Sequence, residues 1–140
     1  MKERFENLFS PFTIKNLVLK NRLVYPPMGT SYATSFGAVT PRFISYHRER
    51  AAGGVGINFV EFTVVESRGR LNLHMHGIYE DAQIPGWKTL VDAVHEAGGK
   101  IGIQIGHGGR RARSEVNSGF RPWAPSPIAE LGGGGWALQE

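Results

Sequence analysis

Two apolar runs constrain this 140-residue chain more than any other feature. Val55 to Val65 reads VGINFVEFTVV and Lys100 to Ile105 reads KIGIQI, both rich in β-branched residues. The first is too continuous for a strand with one wet face, which would alternate apolar and polar residues. It predicts a parallel strand covered on both sides, with helices as its neighbours. The segment between the runs supplies one helix: Trp87, Leu90, Val91, Val94 and Ala97 recur at helical spacing after Pro85, and Gly98-Gly99 offers a left-handed stop. In the second run Ile101, Ile103 and Ile105 take one face, while Gly102, Gln104 and Gly106 take the other.

Upstream, Thr40-Pro41 predicts a helix start, with Thr as N-cap and Pro at the first helical position. Phe43, Tyr46, His47 and Arg50 then share a face until Gly53-Gly54. Leu23-Val24-Tyr25 reads as a short buried strand stopped by Pro26-Pro27, because proline removes a ladder donor and fixes φ. Met28 to Val39 is a loop. Phe12-Thr13-Ile14 and Leu17-Val18-Leu19 read as a hairpin about Lys15-Asn16, although the favoured Asn-Gly pair is absent. Strand, helix, strand, helix, strand is an α/β order with right-handed crossovers, and both a (β/α) barrel and a doubly wound sheet begin this way. A complete barrel needs ~250 residues, so on the barrel reading this chain carries only the first part.

Composition narrows the function classes. Apolar residues make up 41% of the chain, enough for a packed core, and the absence of cysteine removes disulfides, thiolate zinc sites, iron–sulfur clusters and thiol nucleophiles. No stretch approaches the ~18 apolar residues of a membrane span, and Met1-Lys2-Glu3-Arg4 leads into no secretory signal, so the chain reads as cytoplasmic with no membrane partner. The net charge is +4, and four arginines (110, 111, 113, 121) against Glu115 supply three of those charges between His107 and Arg121. With Phe120 and Trp123 nearby this cluster resembles a nucleic-acid patch, but no binding fold accompanies it, and we expect no nucleic-acid partner.

Several residues are candidates for chemistry. Pro26-Pro27-Met28-Gly29-Thr30 lies at the carboxyl end of the first parallel strand, the edge where such folds place ligands, and Gly29 lets a flat ligand approach the main chain; the alternative is a plain strand terminator. Gln104 offers a donor and an acceptor side by side, which suits the uracil-like edge of a flavin. The alternative is a buried Gln satisfied by neighbouring backbone, since leaving it unpaired costs roughly 1–3 kcal/mol. Glu61, inside an apolar strand, reads as a general base or as half of a buried ion pair, with Arg22 as partner. His74 and His76 lack a ligand framework and read as loop histidines, with no metal expected. Gly132 to Gly135 reads as a flexible loop, lacking the context of a phosphate cradle.

Taken together, LFSPFTIKNLVLKNRLVYPPMGT, RAAGGVGINFVEFTVVESRGR and KIGIQIGHGGRRA followed by APSPI resemble the amino-terminal part of the old yellow enzyme family, nearest its 2,4-dienoyl-CoA and enoate reductase branch. The resemblance runs from Leu8 to about Ile128. It implies the amino-terminal portion of a (β/α)8 TIM barrel, about three strands with an N-terminal hairpin, binding FMN and using NADH or NADPH to reduce activated C=C bonds. It also implies that Pro27, Met28 and Gly29 line the flavin, that Phe62 touches it from the second strand and that Gln104 binds its pyrimidine edge. Gly29 stands where many members use Thr or Cys, and Phe62 where a small Ala or Gly is usual, so side-chain tuning from position 29 is lost. Tyr32 lies where some members place a substrate-facing Tyr, in a loop one residue shorter than theirs. His107 to Arg111 matches the family's HAGR-type block, with His107 organising the loop and Arg110 favouring an anionic ligand.

The family's catalytic residues and phosphate loops are expected beyond Glu140. Residues 1–140 therefore read as a partial FMN-binding barrel domain whose carboxyl-terminal part is absent, poor at holding FMN by itself. The expected substrate is an unsaturated carbonyl compound or acyl-CoA, and the expected protein partner another copy or a complementing barrel segment. The alternative is a non-catalytic truncated barrel module that associates with another chain.

Overall fold

The computed structural model describes residues 5–128. The glycine run at 132–135 lies outside them. A single helical turn, α1 (Glu6–Phe9), leads into an antiparallel hairpin of β1 (Phe12–Ile14) and β2 (Leu17–Leu19), with Ile14 opposite Leu17 and Phe12 opposite Leu19. A two-residue hairpin loop needs a left-handed residue, and without Asn-Gly that conformation falls to Lys15, at φ 51°.

The remaining elements alternate: β3 (Val24–Tyr25), α2 (Pro41–Ala52), β4 (Ile57–Val64), α3 (Ile84–Glu96) and β5 (Ile101–Gly106). The strands form a parallel sheet in the order β3-β4-β5. Thr40 caps α2, its hydroxyl accepting from Phe43 N at 3.3 Å, with Pro41 at the start. A 3₁₀ turn at Asp81–Gln83, closed by a reciprocal capping box between Glu80 and Gln83, aims α3. Gly98, at φ 73°, ends it.

The core lies between the two helices and the outer face of β4: Phe43, Ala51, Val60, Trp87, Leu90 and Val94. Val60 faces this layer together with Asn58, whose amide reaches His47 on α2. The opposite face of the sheet carries Phe59 and Phe62 over the glycines of β5, because a Cβ on Gly102 or Gly106 would run into their rings. That second face points away from the helices and holds Phe62 and Gln104, two of the residues the sequence marks for cofactor binding.

Candidate functional site

The site begins at the carboxyl rim of the sheet. Tyr25 pairs with Asn58, so the chain beyond it, Pro26 to Gly29, runs on alongside the upper half of β4, where Phe62 pairs with Gln104 of β5. Phe62 and Gln104 thus pair on neighbouring strands, and Gly29 directly precedes Thr30, whose backbone amide reaches the Glu61 carboxylate next to Phe62. Among the described residues, no atom outside Gly29 and its chain neighbours lies within 4 Å of where a Gly29 Cβ would stand, Met28 is half exposed, and Pro27 is partly buried. Gln104 is exposed, where the sequence reading of a buried, backbone-satisfied Gln anticipated the reverse, and none of the described hydrogen bonds uses its carboxamide. A donor and an acceptor therefore stand free between two glycines, flanked by two phenyl rings.

Parity along β4 is broken once. Val60 pairs with Ile103 and Phe62 with Gln104, leaving Glu61 as an extra, unpaired residue. A β-bulge of this kind re-aims the side chains that follow it. Here it returns Phe62 to the face of Phe59 and turns Glu61 into the helix-side layer, where the residue is 3% exposed. Its Oε1 accepts from His76 Nδ1 at 2.8 Å and its Oε2 from Thr30 N at 2.5 Å. The partner is therefore His76, not Arg22, whose guanidinium lies over Phe12 and donates to Ser10. Burial by itself would raise the Glu61 carboxyl, but the hydrogen bonds from His76 and Thr30 outweigh it and hold the group below its ordinary range.

A second buried polar pair supports the same layer. Asn58 Nδ2 donates to His47 O and its Oδ1 faces His47 Nδ1, both at 2.9 Å, so the amide orientation is fixed and His47 carries its hydrogen on Nδ1. Burial lowers the His47 pKa; the Asn58 bond and the Glu61 charge oppose that, and Arg50 and His76 add to it. The unfolded imidazole titrates near ~6.5 and the folded one lower, so the unfolded state binds the extra proton in that interval and stability falls as pH drops below ~6.5. Glu61, depressed in the fold, adds a second loss that begins only below ~4.3, the unfolded carboxyl value. Thermal melts from pH 7 to 3 are expected to show both limbs, and His47→Gln to erase the upper limb alone. An upper limb that survives that substitution would refute the assignment.

Among the other sequence candidates, the Tyr32 ring packs against the core, sits 3.8 Å beneath the Arg42 guanidinium and accepts from it through the hydroxyl at 3.0 Å. His107 does organise its loop: Gly109 N donates to Nδ1 at 2.9 Å, and Nε2 lies 3.3 Å from Glu66 Oε2. Arg110 is exposed on the next turn. His74 Nδ1 meets Ala33 O, and among the described residues no cluster of three metal-ligating side chains occurs. Nor is any described helix long and apolar enough to cross a membrane. The sequence reading missed the Glu61–His76 and His47–Asn58 pairs. Its available signal was two polar residues, Asn58 and Glu61, inside an apolar strand, each of which needs a buried partner.

Residues 7–133 match the model of the NADH:flavin oxidoreductase / NADH oxidase family. The chain belongs to that family. It is 41% identical over 89% of its length to an NADH oxidase of Thermoanaerobacter brockii, and 42% identical over 87% to an NADPH dehydrogenase of Bacillus subtilis. It spans 19% and 35% of those proteins, so it corresponds to a minor part of each. Among solved structures, morphinone reductase superposes on 88% of the chain with a TM-score of 0.81 at 34% identity, the match covering 32% of that protein. The old yellow enzyme homologue from Zymomonas mobilis superposes on 95% with 0.81 at 30%, covering 38% of its own chain. Three strands in sequential order are shared by barrels and doubly wound sheets. The likeness to old yellow enzymes resolves the choice: β3 to β5 with α2 and α3 are part of a TIM barrel.

Proposed function

We propose that this chain is the amino-terminal part of an FMN-dependent oxidoreductase that uses NADH or NADPH to reduce activated C=C bonds, in an unsaturated carbonyl compound or acyl-CoA. The observation that supports it best is the exposed Gln104 carboxamide, without a hydrogen-bond partner among the described residues, between Gly102 and Gly106 on the strand that pairs with Phe62. A flat heteroaromatic with adjacent N–H and C=O groups matches that donor–acceptor pair, and the missing side chain at Gly29 leaves room for its face. The chemistry a bound FMN supplies is two-electron transfer from a nicotinamide to an electron-poor double bond.

The protein's share is binding and placement. Gln104 would hold the pyrimidine edge, Pro27 to Gly29 would present main chain to one side, and the Phe62 ring would form an apolar wall that keeps water from the same face. Tyr32 and Arg110 are the candidates for substrate contact, Arg110 for an anionic group. In the intact FMN-loaded protein, Gln104→Leu is expected to weaken FMN retention about tenfold, the worth of a lost paired hydrogen bond at a desolvated site. Measuring FMN release by fluorescence checks it, and unchanged retention removes Gln104 from the site. An intact protein that takes up FMN with a perturbed absorption band and oxidises NADH or NADPH on addition of an enone meets the expectation of the whole reading.

One feature favours a second reading, a barrel module that associates with another segment. An apolar groove of about 420 Å³ lies between the hairpin and the inner face of the sheet, lined by Phe12, Ile14, Leu17, Val24, Ile57 and Phe59 among others. Residues 1–140 that stay free of FMN, yet acquire it on mixing with a separately expressed remainder of the barrel, would support that reading.

A further inference from the structure

Glu61 stands on the helix side of β4, while the surface assigned to the flavin lies on the other side, so its carboxylate meets no reacting group. Its hydrogen bonds say what it does instead. Oε2 accepts from Thr30 N, the first backbone amide after Gly29, and among the described hydrogen bonds none involves Pro26, Pro27, Met28 or Gly29. The path of that segment is therefore set by its two ends, the ladder at Tyr25 and the bond at Thr30. Immediately beyond, Ser31 adopts φ 56° and turns the chain away.

The far end of the tether is rigid. Oε1 is held by His76 Nδ1 at 2.8 Å, and the His76 ring, fully buried, stacks on Phe43 with centroids 3.8 Å apart and planes at 29°. The backbone there is fixed as well: Val64 N donates to His76 O at 3.0 Å, and the Trp87 indole donates to Gly77 O at 2.9 Å. The bulge is what makes the geometry available, since in a regular ladder residue 61 would fall on the opposite face. A strut thus runs from the packed core, through one carboxylate, to one main-chain amide at the rim.

We propose that Glu61 is a positioning residue for the cofactor wall: through the Thr30 amide it sets where the Pro27–Gly29 main chain lies, and so how closely that main chain meets the flavin. This rests on the flavin reading above. The requirement is reach rather than charge. Glu61→Gln keeps the reach: the amide oxygen accepts from Thr30, and its nitrogen donates to His76 Nδ1 once the imidazole hydrogen moves to Nε2, an atom with no partner to lose. Glu61→Asp keeps the charge but retracts the carboxylate by one methylene, about 1.5 Å, too far to span both partners.

Three readouts on the intact protein test this: hydrogen exchange at the Thr30 amide without FMN, and the absorption spectrum and dissociation constant of added FMN. Glu61→Asp is expected to speed exchange about tenfold, displace the flavin band toward that of free FMN and weaken FMN about tenfold, the loss of one charge-assisted hydrogen bond. Glu61→Gln is expected to stay close to wild type in all three. A purely electrostatic or generally stabilising role ranks the variants the other way, so a wild-type-like Glu61→Asp, or a Glu61→Gln more disturbed than it, overturns the proposal. If exchange responds as stated but the wild-type protein takes up no FMN, the flavin reading fails while the tether stands. If FMN binds and Glu61→Asp changes neither exchange nor spectrum, the tether fails by itself.

Discussion

Phe43→Ala is expected to lower the stability of the protein by about 3–5 kcal/mol, within the range for emptying a fully buried aromatic site. Phe43 is 0% exposed and stands at the centre of an aromatic cluster. His76 stacks on its face, His47 meets it edge-on at 4.5 Å, and Trp87 meets it edge-on at 6.4 Å. Truncation removes the contacts on one side of both imidazoles at once. It also opens a space next to two unpartnered nitrogens, the Nε2 atoms of His47 and His76. A water admitted there would gain polar partners, which offsets part of the cavity cost. The effect on the site is separate: with its stacking surface gone, the His76 ring no longer fixes Glu61, and the rim at Thr30 loosens. Urea unfolding of the variant beside Phe43→Leu measures the first effect, and a loss below 1 kcal/mol in Phe43→Ala would contradict the central role given to this ring.

The hairpin, both long helices and all three parallel strands were legible in the sequence because their signals are local, although β3 is not the buried strand expected, Val24 being 53% exposed. Thr40-Pro41 caps and starts α2 within four residues, Gly98 supplies the positive φ that ends α3, and Pro26-Pro27 closes β3. The alternation along KIGIQI also gave the correct faces, Gly102, Gln104 and Gly106 together under the phenyl rings of β4. What escaped was non-local. One extra residue at position 61 reverses the parity of β4, and nothing in VGINFVEFTVV marks which residue the ladder omits. Composition suggests an arginine partner for a buried carboxylate, but the partner is decided by a loop that returns 15 residues later with His76. The environment of Gln104 was hidden for a related reason: a strand pattern assigns a face, while the material covering that face comes from elsewhere.

Gly56→Ala is expected to be as damaging as truncating the core, though it adds a single methyl group. The Gly56 φ lies outside the left-handed region, so the reason is space. A Cβ there would collide with the Asn21 carbonyl oxygen, and would lie 2.8 Å from Asn21 Oδ1 and 3.1 Å from Leu23 O. Two of these obstacles are backbone, and the third is held twice, with Asn21 Nδ2 donating to Gly54 O at 2.7 Å and Leu23 N donating to Asn21 Oδ1 at 3.0 Å. Nothing nearby swings aside cheaply, so β3 must shift relative to β4, which strains the Gly56 N to Leu23 O bond of 2.9 Å. Overpacking commonly costs 1–3 kcal/mol and more where backbone must move, so a loss of about 3 kcal/mol or above is expected. The adjacent glycines make the control. Gly54, at φ 97° with open space around it, should lose about 1 kcal/mol on replacement by alanine, from backbone strain. Gly53, whose φ is −67°, should lose less. The rank order Gly56, Gly54, Gly53 in denaturant midpoints is the test, and a Gly56→Ala midpoint equal to that of Gly53→Ala would refute the close approach. Because β3 leads straight into Pro27–Gly29, the same displacement should carry the proposed flavin wall with it, so on that proposal FMN retention should fall in Gly56→Ala and hold in Gly53→Ala.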